Sequence, residues 1–492
     1  MNALLRKPGT WIALLSLLLG LVFLGHRGIW DPDEGRYTNV ALNMLDSGDW
    51  LNPKRNEEVG HWTKPPMTYW AIASGVAVFG PNPWAARLPS ALSYLLCVWL
   101  VWRMARRMAP GHETVAALAY ATMLLPVGAA HLITTDYLLA FFSTLAIHGF
   151  VQARFGAARP MAWMASCWAA FALAFLTKGP PALLPLIALL AYDWWMPGRQ
   201  GHRLFHWSGL LLFVLLALPW YVAVVINNPG LFEYFVGDEV VNRVTTNEFG
   251  RHGQWYGWAM IYVPTLLVGA LPWTPTLLRW VRRLPSDARR WWGHPAARQA
   301  DAPWLLLTLW IVLPLLVFCL ARSRMPLYLL PLFAPLALVV AMQRGREGRP
   351  LVRARWIVGW AALLVGLQVA VGFWPTHKDA RLWADALRER AGGRPIPEVV
   401  FVEDMTRYGL HLHLGTGTHI EKIALEPVPQ SPFNRVYDEL LEQELAEHEP
   451  DAIWVCKQQA FPRIQARIEA AGFAVAPLPA YRDRAIFRIT RR

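Results

Sequence analysis

The chain has 492 residues, 55% of them hydrophobic and only 16% charged, with 27 Trp, 38 Pro and a formal net charge of +13. That balance excludes an intrinsically disordered chain, and a single soluble core does not extend to this length. A cationic surplus carried in short clusters between long apolar runs fits a polytopic membrane protein and argues against nucleic-acid binding.

The first apolar segment, 10–25, follows Arg6 and Lys7. No small-residue cleavage site precedes His26, so it reads as an uncleaved anchor. Ten more segments follow near 84–102, 114–133, 136–153, 161–177, 179–195, 207–226, 256–278, 303–321, 326–342 and 356–374. They predict about eleven transmembrane helices, and up to thirteen. With the N-terminus cytoplasmic, the even-numbered connections hold the arginine clusters, among them Arg103, Arg106 and Arg107, then Arg279, Arg282, Arg283, Arg289 and Arg290, then Arg344, Arg346, Arg349, Arg353 and Arg355. The positive-inside rule favours that orientation. The outer face then carries the loop 26–83, the loop 227–255 and everything beyond about 375. Cys97, Cys167 and Cys319 sit in apolar runs and Cys456 is alone, so the cysteines show neither metal-ligand spacing nor a disulfide framework.

The first outer loop concentrates charge. Trp30-Asp-Pro-Asp-Glu-Gly-Arg-Tyr37 sets three carboxylates and a guanidinium at a membrane boundary. A helical apolar spacing follows over 37–45, ended by Ser47-Gly-Asp-Trp50. His61-Trp-Thr-Lys-Pro-Pro66 then leads into a second amphipathic stretch, 67–79. Two such stretches suit an interfacial position from which a lipid headgroup is reached. Taken singly, Asp33 and Glu34 read as charges balancing a helix dipole and Lys64 as a snorkelling lysine. Further outer charges sit at Asp136, Lys178 and Arg243. Charges at such boundaries are costly and therefore mark candidate sites. The span interiors carry almost no ionisable residues, which weighs against an ion-coupled transporter.

The segment 375–492 reads as a separate small α/β domain, leaving 1–374 as the membrane domain. Helices are expected near 377–391, 405–414, 434–448 and 458–471. Strands are expected at 398–402, 419–424, 452–456, 473–478 and 484–490. His411 and His413 lack a third ligand nearby, so they read as solvated or capping groups.

The order Asp33-Glu34-x-Arg36-Tyr37, Ser47-Gly-Asp-Trp50, Lys64-Pro-Pro66 and Ala86-Arg-Leu-Pro-Ser90 resembles the membrane glycosyltransferases of the protein O-mannosyltransferase superfamily, glycosyltransferase family 39. The resemblance is strongest to the bacterial lipid A aminoarabinose transferase branch. Leu176-Thr-Lys-Gly179, Asp238–Arg243 and Ser323-Arg-Met-Pro-Leu-Tyr328 continue it through the membrane part. It implies a GT-C fold with interfacial helices in the first outer loop. It also implies an undecaprenyl-phosphate or other polyprenyl-phosphate sugar donor at the periplasmic face of the inner membrane, inversion at the anomeric carbon, and no cofactor or metal. Implied catalytic residues are Asp33, Glu34 and Asp136. Implied donor-phosphate and cavity residues are Arg36, Tyr37, Lys64, Lys178, Arg243 and Tyr328. One departure is Thr63, where the family often has Glu before the loop lysine.

Chemistry agrees with that set. Breaking a sugar–phosphate bond leaves negative charge on the phosphate, which fixed Arg and Lys donors stabilise. A hydroxyl acceptor needs a carboxylate base. A phosphate acceptor, as on lipid A, does not, and Asp33 would then orient groups or balance charge. The acceptor thus stays open between lipid A and a protein or glycan hydroxyl. The rivals from other classes are a lipid-linked sugar flippase and a non-catalytic envelope scaffold. A flippase predicts mid-membrane polar residues or an internal repeat, and a scaffold leaves the outer-loop charges unexplained.

Overall fold

A computed structural model describes residues 8–56, 58–156, 159–197, 204–242, 251–349, 352–447 and 449–492. The chain forms two compact units, Met1–Phe23 with Pro89–Val371 and Leu24–Leu88 with Gly372–Arg492. One cut falls between Val371 and Gly372. The other assigns the first outer loop to the same unit as the C-terminal segment.

All eleven apolar segments fall on helix. Among the described residues six helices are long and apolar enough to cross a membrane: Pro83–Met108, Pro160–Lys178, Trp207–Asn227, Ala302–Leu320, Pro326–Arg346 and Ala354–Phe373. Others are shortened by local sequence. Met123 is extended, with ψ 134°, and divides 114–133 into Glu113–Thr122 and Leu124–Ala129. Pro180 and Pro181 lack N–H donors, so 179–195 opens as a 3₁₀ turn before the helix Leu184–Trp195. The helices of this first, membrane unit close over an apolar core with Tyr94, Tyr120, Tyr137, Phe150, Phe171 and Trp310 wholly buried. Two of its phenols find backbone acceptors, Tyr94 at Ala121 O (2.8 Å) and Tyr137 at Pro126 O (3.0 Å).

The second unit is built on a six-stranded sheet. Its strands are β1 (Glu398–Val402), β2 (His419–Ala424), β3 (Glu439–Leu440), β4 (Ile453–Lys457), β5 (Phe473–Tyr481) and β6 (Arg484–Arg491), in the order β3-β2-β1-β4-β6-β5. β3, β2, β1 and β4 run parallel, while β6 and β5 pair antiparallel. Both faces are buried because side chains alternate along each strand. Val400, Val402, Trp454, Cys456 and Phe487 join Ile464 and Ile468 of the helix Phe461–Ala470. Val399, Phe401, Ile453, Val455 and Ile486 join Trp383 and Leu387 of the helix Ala380–Ala391.

The helix expected over 434–448 begins only at Leu441. Before it, the Gln430 side chain accepts from Val436 N and Tyr437 N, and Asp438 accepts from Lys422 N at 2.8 Å. These bonds hold 430–438 as a turn that delivers β3 to the sheet edge.

Two helices of the first loop, Asp33–Ser47 and Met67–Phe79, belong to this unit. Asp33 and Glu34 occupy the first turn of the former, and Gly48 ends it in the left-handed region, φ 68°.

Candidate active site

In the sheet unit, Asp33 is exposed at the start of its helix and accepts from Arg36 at 3.1 Å. Tyr37, next after Arg36, packs at a tilt against Tyr69 of Met67–Phe79, with the ring centroids 5.8 Å apart. Tyr69 in turn faces the His61 ring, and His61 contacts Thr63 Oγ1 at 2.9 Å. Lys64 follows, its ammonium on Thr63 O at 2.5 Å. Burial, and then the charges of Arg36, Arg55 and Lys64, push the His61 imidazole well below its ordinary range. The result is a neutral histidine beside a cationic group of side chains, with the Asp33 carboxylate at its edge.

Glu34, expected beside Asp33 as a catalytic group, turns inward instead. Arg27 binds it through two nitrogens, at 2.6 and 2.8 Å, and Arg87 through two more, at 3.2 and 2.8 Å. Trp30 N donates to it at 2.8 Å. Burial alone would raise its carboxyl, but the two guanidinium charges and their hydrogen bonds outweigh that and hold it well below the carboxylate range. Arg87, fully buried, also donates to Leu24 O, Arg27 O and Gly28 O. Glu34 and Arg87 therefore shape the loop that carries Asp33, and Glu34 has little freedom to take part in proton transfer.

Sequence reasoning passed over Asp31. Its Oδ1 accepts from Gly409 N at 3.0 Å, while its Oδ2 is buried without a hydrogen-bond partner. Burial pushes its carboxyl up to about 7, the nearby Glu34 charge adding to that and Gly409 N–H and Arg407 opposing it. Around it the loop is pinned to the C-terminal segment by Asp31 N to Lys378 O (2.9 Å), Ala380 N to Ile29 O (2.8 Å) and Gly28 N to Asp379 Oδ2 (3.3 Å). Arg55 reaches Asp438 at 2.5 Å. Gly35 is required by close approach, because a Cβ there would lie 1.8 Å from Asp31 Oδ1 and 2.5 Å from Gly409 N.

His411 and His413 are part of the same seam rather than solvated. His411 Nδ1 contacts Asn39 Oδ1 at 2.8 Å and His413 Nε2 accepts from Ile29 N at 3.2 Å. Burial pushes both imidazoles down to about 4.

In the membrane unit, Asp136 and Lys178 form an ion pair at 2.5 Å. Asp136 stands in the first turn of Thr135–Arg154, capped by Thr134, and Lys178 ends Pro160–Lys178. The Lys178 ammonium lies 4.4 Å from the centroid of the Tyr328 ring. Residues expected at two separate outer junctions, Asp136 and Lys178, thus meet beside Tyr328 near the start of the expected span 326–342. Arg243 lies outside the described residues. Arg324, part of the same motif as Tyr328, is buried and donates to His252 O (2.6 Å) and Gln254 O (2.8 Å), which fixes the chain ahead of Gly257.

Among the described residues the carboxylate oxygens of Glu398, Glu421 and Glu444 lie within 4.8 Å of one another. Burial pushes all three carboxyls up, and repulsion from neighbouring carboxylates adds to it, while a hydrogen bond with Glu444 opposes the shift at Glu398.

Residues 63–225 match the family described as dolichyl-phosphate-mannose-protein mannosyltransferase. The undecaprenyl phosphate-alpha-4-amino-4-deoxy-L-arabinose arabinosyl transferase of Pseudomonas aeruginosa is 33% identical over 70% of this chain and 62% of that protein. The enzyme of the same description from Edwardsiella ictaluri is 32% identical over 74% of this chain and 64% of that protein. The chain thus spans under two thirds of these relatives' length. The crystal structure of ArnT from Cupriavidus metallidurans bound to undecaprenyl phosphate superposes with a TM-score of 0.77 over 97% of each chain, at 21% identity. Over most of its length the chain is thus similar in sequence to arabinosyl transferases, and its fold matches that of the ArnT structure.

Proposed function

We propose that the chain transfers a sugar from undecaprenyl phosphate to an acceptor at the periplasmic face of a bacterial inner membrane, with 4-amino-4-deoxy-L-arabinose as the sugar and a lipid A phosphate as the acceptor. The observation that carries this reading is the similarity to two relatives named for that donor and sugar. The side-chain chemistry supports it. In the reaction the bond between the anomeric carbon and the donor phosphate oxygen breaks, and the acceptor oxygen bonds to that carbon from the opposite side. The electron pair of the broken bond stays on the phosphate. Arg36, Tyr37 and Lys64 supply cations and a hydroxyl to that developing charge, and Lys178, Tyr328 and Arg243 are assigned to the donor in the same way. A lipid A phosphate is already anionic, so Asp33 and Asp136 orient groups and balance these cations. With a hydroxyl acceptor, Asp33 would take the proton. Glu34 is proposed as a positioning residue.

The membrane part is proposed to have eleven spans with a cytoplasmic N-terminus. The arginine clusters of the even-numbered connections support that topology.

Purified protein given the lipid-linked aminosugar and lipid A should yield modified lipid A by mass spectrometry. Asp33→Asn and Lys64→Ala should each lower transfer at least about a hundredfold, the scale of losing one transition-state electrostatic contact, with unfolding temperature unchanged. Full activity in both would overturn the site. A reporter fused after Arg492 should be active only in the periplasm, and a cytoplasmic signal would overturn the topology.

A further inference from the structure

A cavity of about 540 Å³ opens in the membrane unit, with Thr276, Arg279, Arg344, Arg349, Trp356 and Trp360 among its walls. One segment fixes its place. Pro326–Arg346 has 21 residues. Tyr328 near its start sits under the Lys178 ammonium, and Arg344 near its end lines the cavity. At about 1.5 Å per helical residue the two points are roughly 25 Å apart. The cavity is therefore distinct from the Asp136–Lys178 pair and lies at the arginine-rich end of the helices.

Two guanidinium groups, of Arg279 and Arg349, share one carboxylate there. Glu347 Oε1 accepts from Arg279 Nε (2.9 Å) and Gln343 Nε2 (2.6 Å), and its Oε2 pairs with Arg349 Nε at 2.8 Å. Both oxygens are engaged, so the wall keeps an excess of positive charge. Arg344 lies 5.9 Å from the centroid of the Trp273 ring. The aromatic wall is itself anchored, with Trp273 Nε1 donating to Thr122 Oγ1 (2.9 Å) and Trp360 Nε1 to Thr122 O (2.8 Å).

The opposite wall is apolar and open. It belongs to Ala354–Phe373, where Trp356 is 65% exposed, and the exposed apolar face continues through Leu363, Leu367 and Val371. Cations at the mouth and an uncovered apolar stripe leading away from them match a ligand with a phosphate head and hydrocarbon tails. We propose that this cavity binds the headgroup of an anionic membrane phospholipid, with the acyl chains lying along the exposed face of Ala354–Phe373.

The test is native mass spectrometry of the purified full chain in detergent, given equal amounts of phosphatidylglycerol and phosphatidylcholine. About tenfold preferential retention of phosphatidylglycerol is expected. Arg349→Gln and Arg344→Gln should each lower that preference about fivefold. The Arg349 side chain is 49% exposed, so its variant should keep the wild-type unfolding temperature. The wild-type comparison tests the proposal independently of any variant. Equal retention of the two lipids would overturn it, as would a preference that both variants preserve. Binding of inorganic phosphate without selective lipid retention would identify a free-anion site and would also overturn it.

Discussion

The two units solve the problem of burial in opposite ways. The membrane unit buries tyrosines, phenylalanines and aliphatic side chains against one another, and the Tyr94 and Tyr137 phenols need only a backbone carbonyl nearby. The sheet unit adds to its apolar layers a seam of charges, Glu34 between Arg27 and Arg87, Arg55 on Asp438, and Asp31 under Gly409. Apolar packing is forgiving, since a truncated side chain leaves a cavity that neighbours partly fill. A buried charge is not, because loss of its partner strands it in a low dielectric. Precision near Asp33 thus comes from groups that tolerate little change.

The comparison can be broken most sharply at Arg87. Arg87→Ala should lower stability by about 3–5 kcal/mol and collapse hydrogen-exchange protection over 24–34, because Glu34 loses half of its neutralisation. If the loss stays below that of an Ile→Val change in the membrane core, about 0.5–1.5 kcal/mol, the contrast between the units fails. Gly35→Ala comes next. The added methyl collides with Asp31 and Gly409 N and should cost about 1–3 kcal/mol, read by chemical denaturation, with transfer activity falling as Asp33 shifts.

The mildest probe is pH. Asp31 has a folded value of about 7, above its ordinary 3.8. Its contribution to stability is fully present below pH 3.8 and is lost as pH rises through about 7. The midpoint of unfolding should therefore fall between about pH 4 and pH 7, and Asp31→Asn should make that part of the profile less steep. An unchanged slope in the variant would remove Asp31 from the seam.

Much of the fold was legible because hydrophobic periodicity is a local signal. The apolar segments fall on helix, and the strands near 398–402, 419–424 and 453–457 stand where β-branched and aromatic runs place them. The break at Met123 and the turn at 430–438 escaped notice, since one depends on a single backbone angle and the other on side-chain bonds from Gln430 and Asp438. The site was legible as a set of residue types and less so as a set of roles. Asp136 and Lys178, 42 positions apart, do meet. Nothing in the string Asp-Pro-Asp-Glu distinguishes an exposed Asp33 from a clamped Glu34 or a buried Asp31. That distinction is made by Arg87 and Gly409, which lie 53 and 378 positions away from their partners.

The sheet unit is assembled from the two stretches 24–88 and 372–492, with 89–371 between them. Seen against the clock of synthesis, this makes the proposed site a late product. The Arg27–Glu34–Arg87 clamp can form as soon as Arg87 is made, but Gly409 arrives only after some three hundred further residues, on the order of tens of seconds later at cellular elongation rates. Until then Asp31 has no cover and the Asp33 loop no backing. A nascent chain can thus hold every proposed catalytic side chain before its sheet exists, and completion of the sheet is the point at which the Asp33 loop gains its backing.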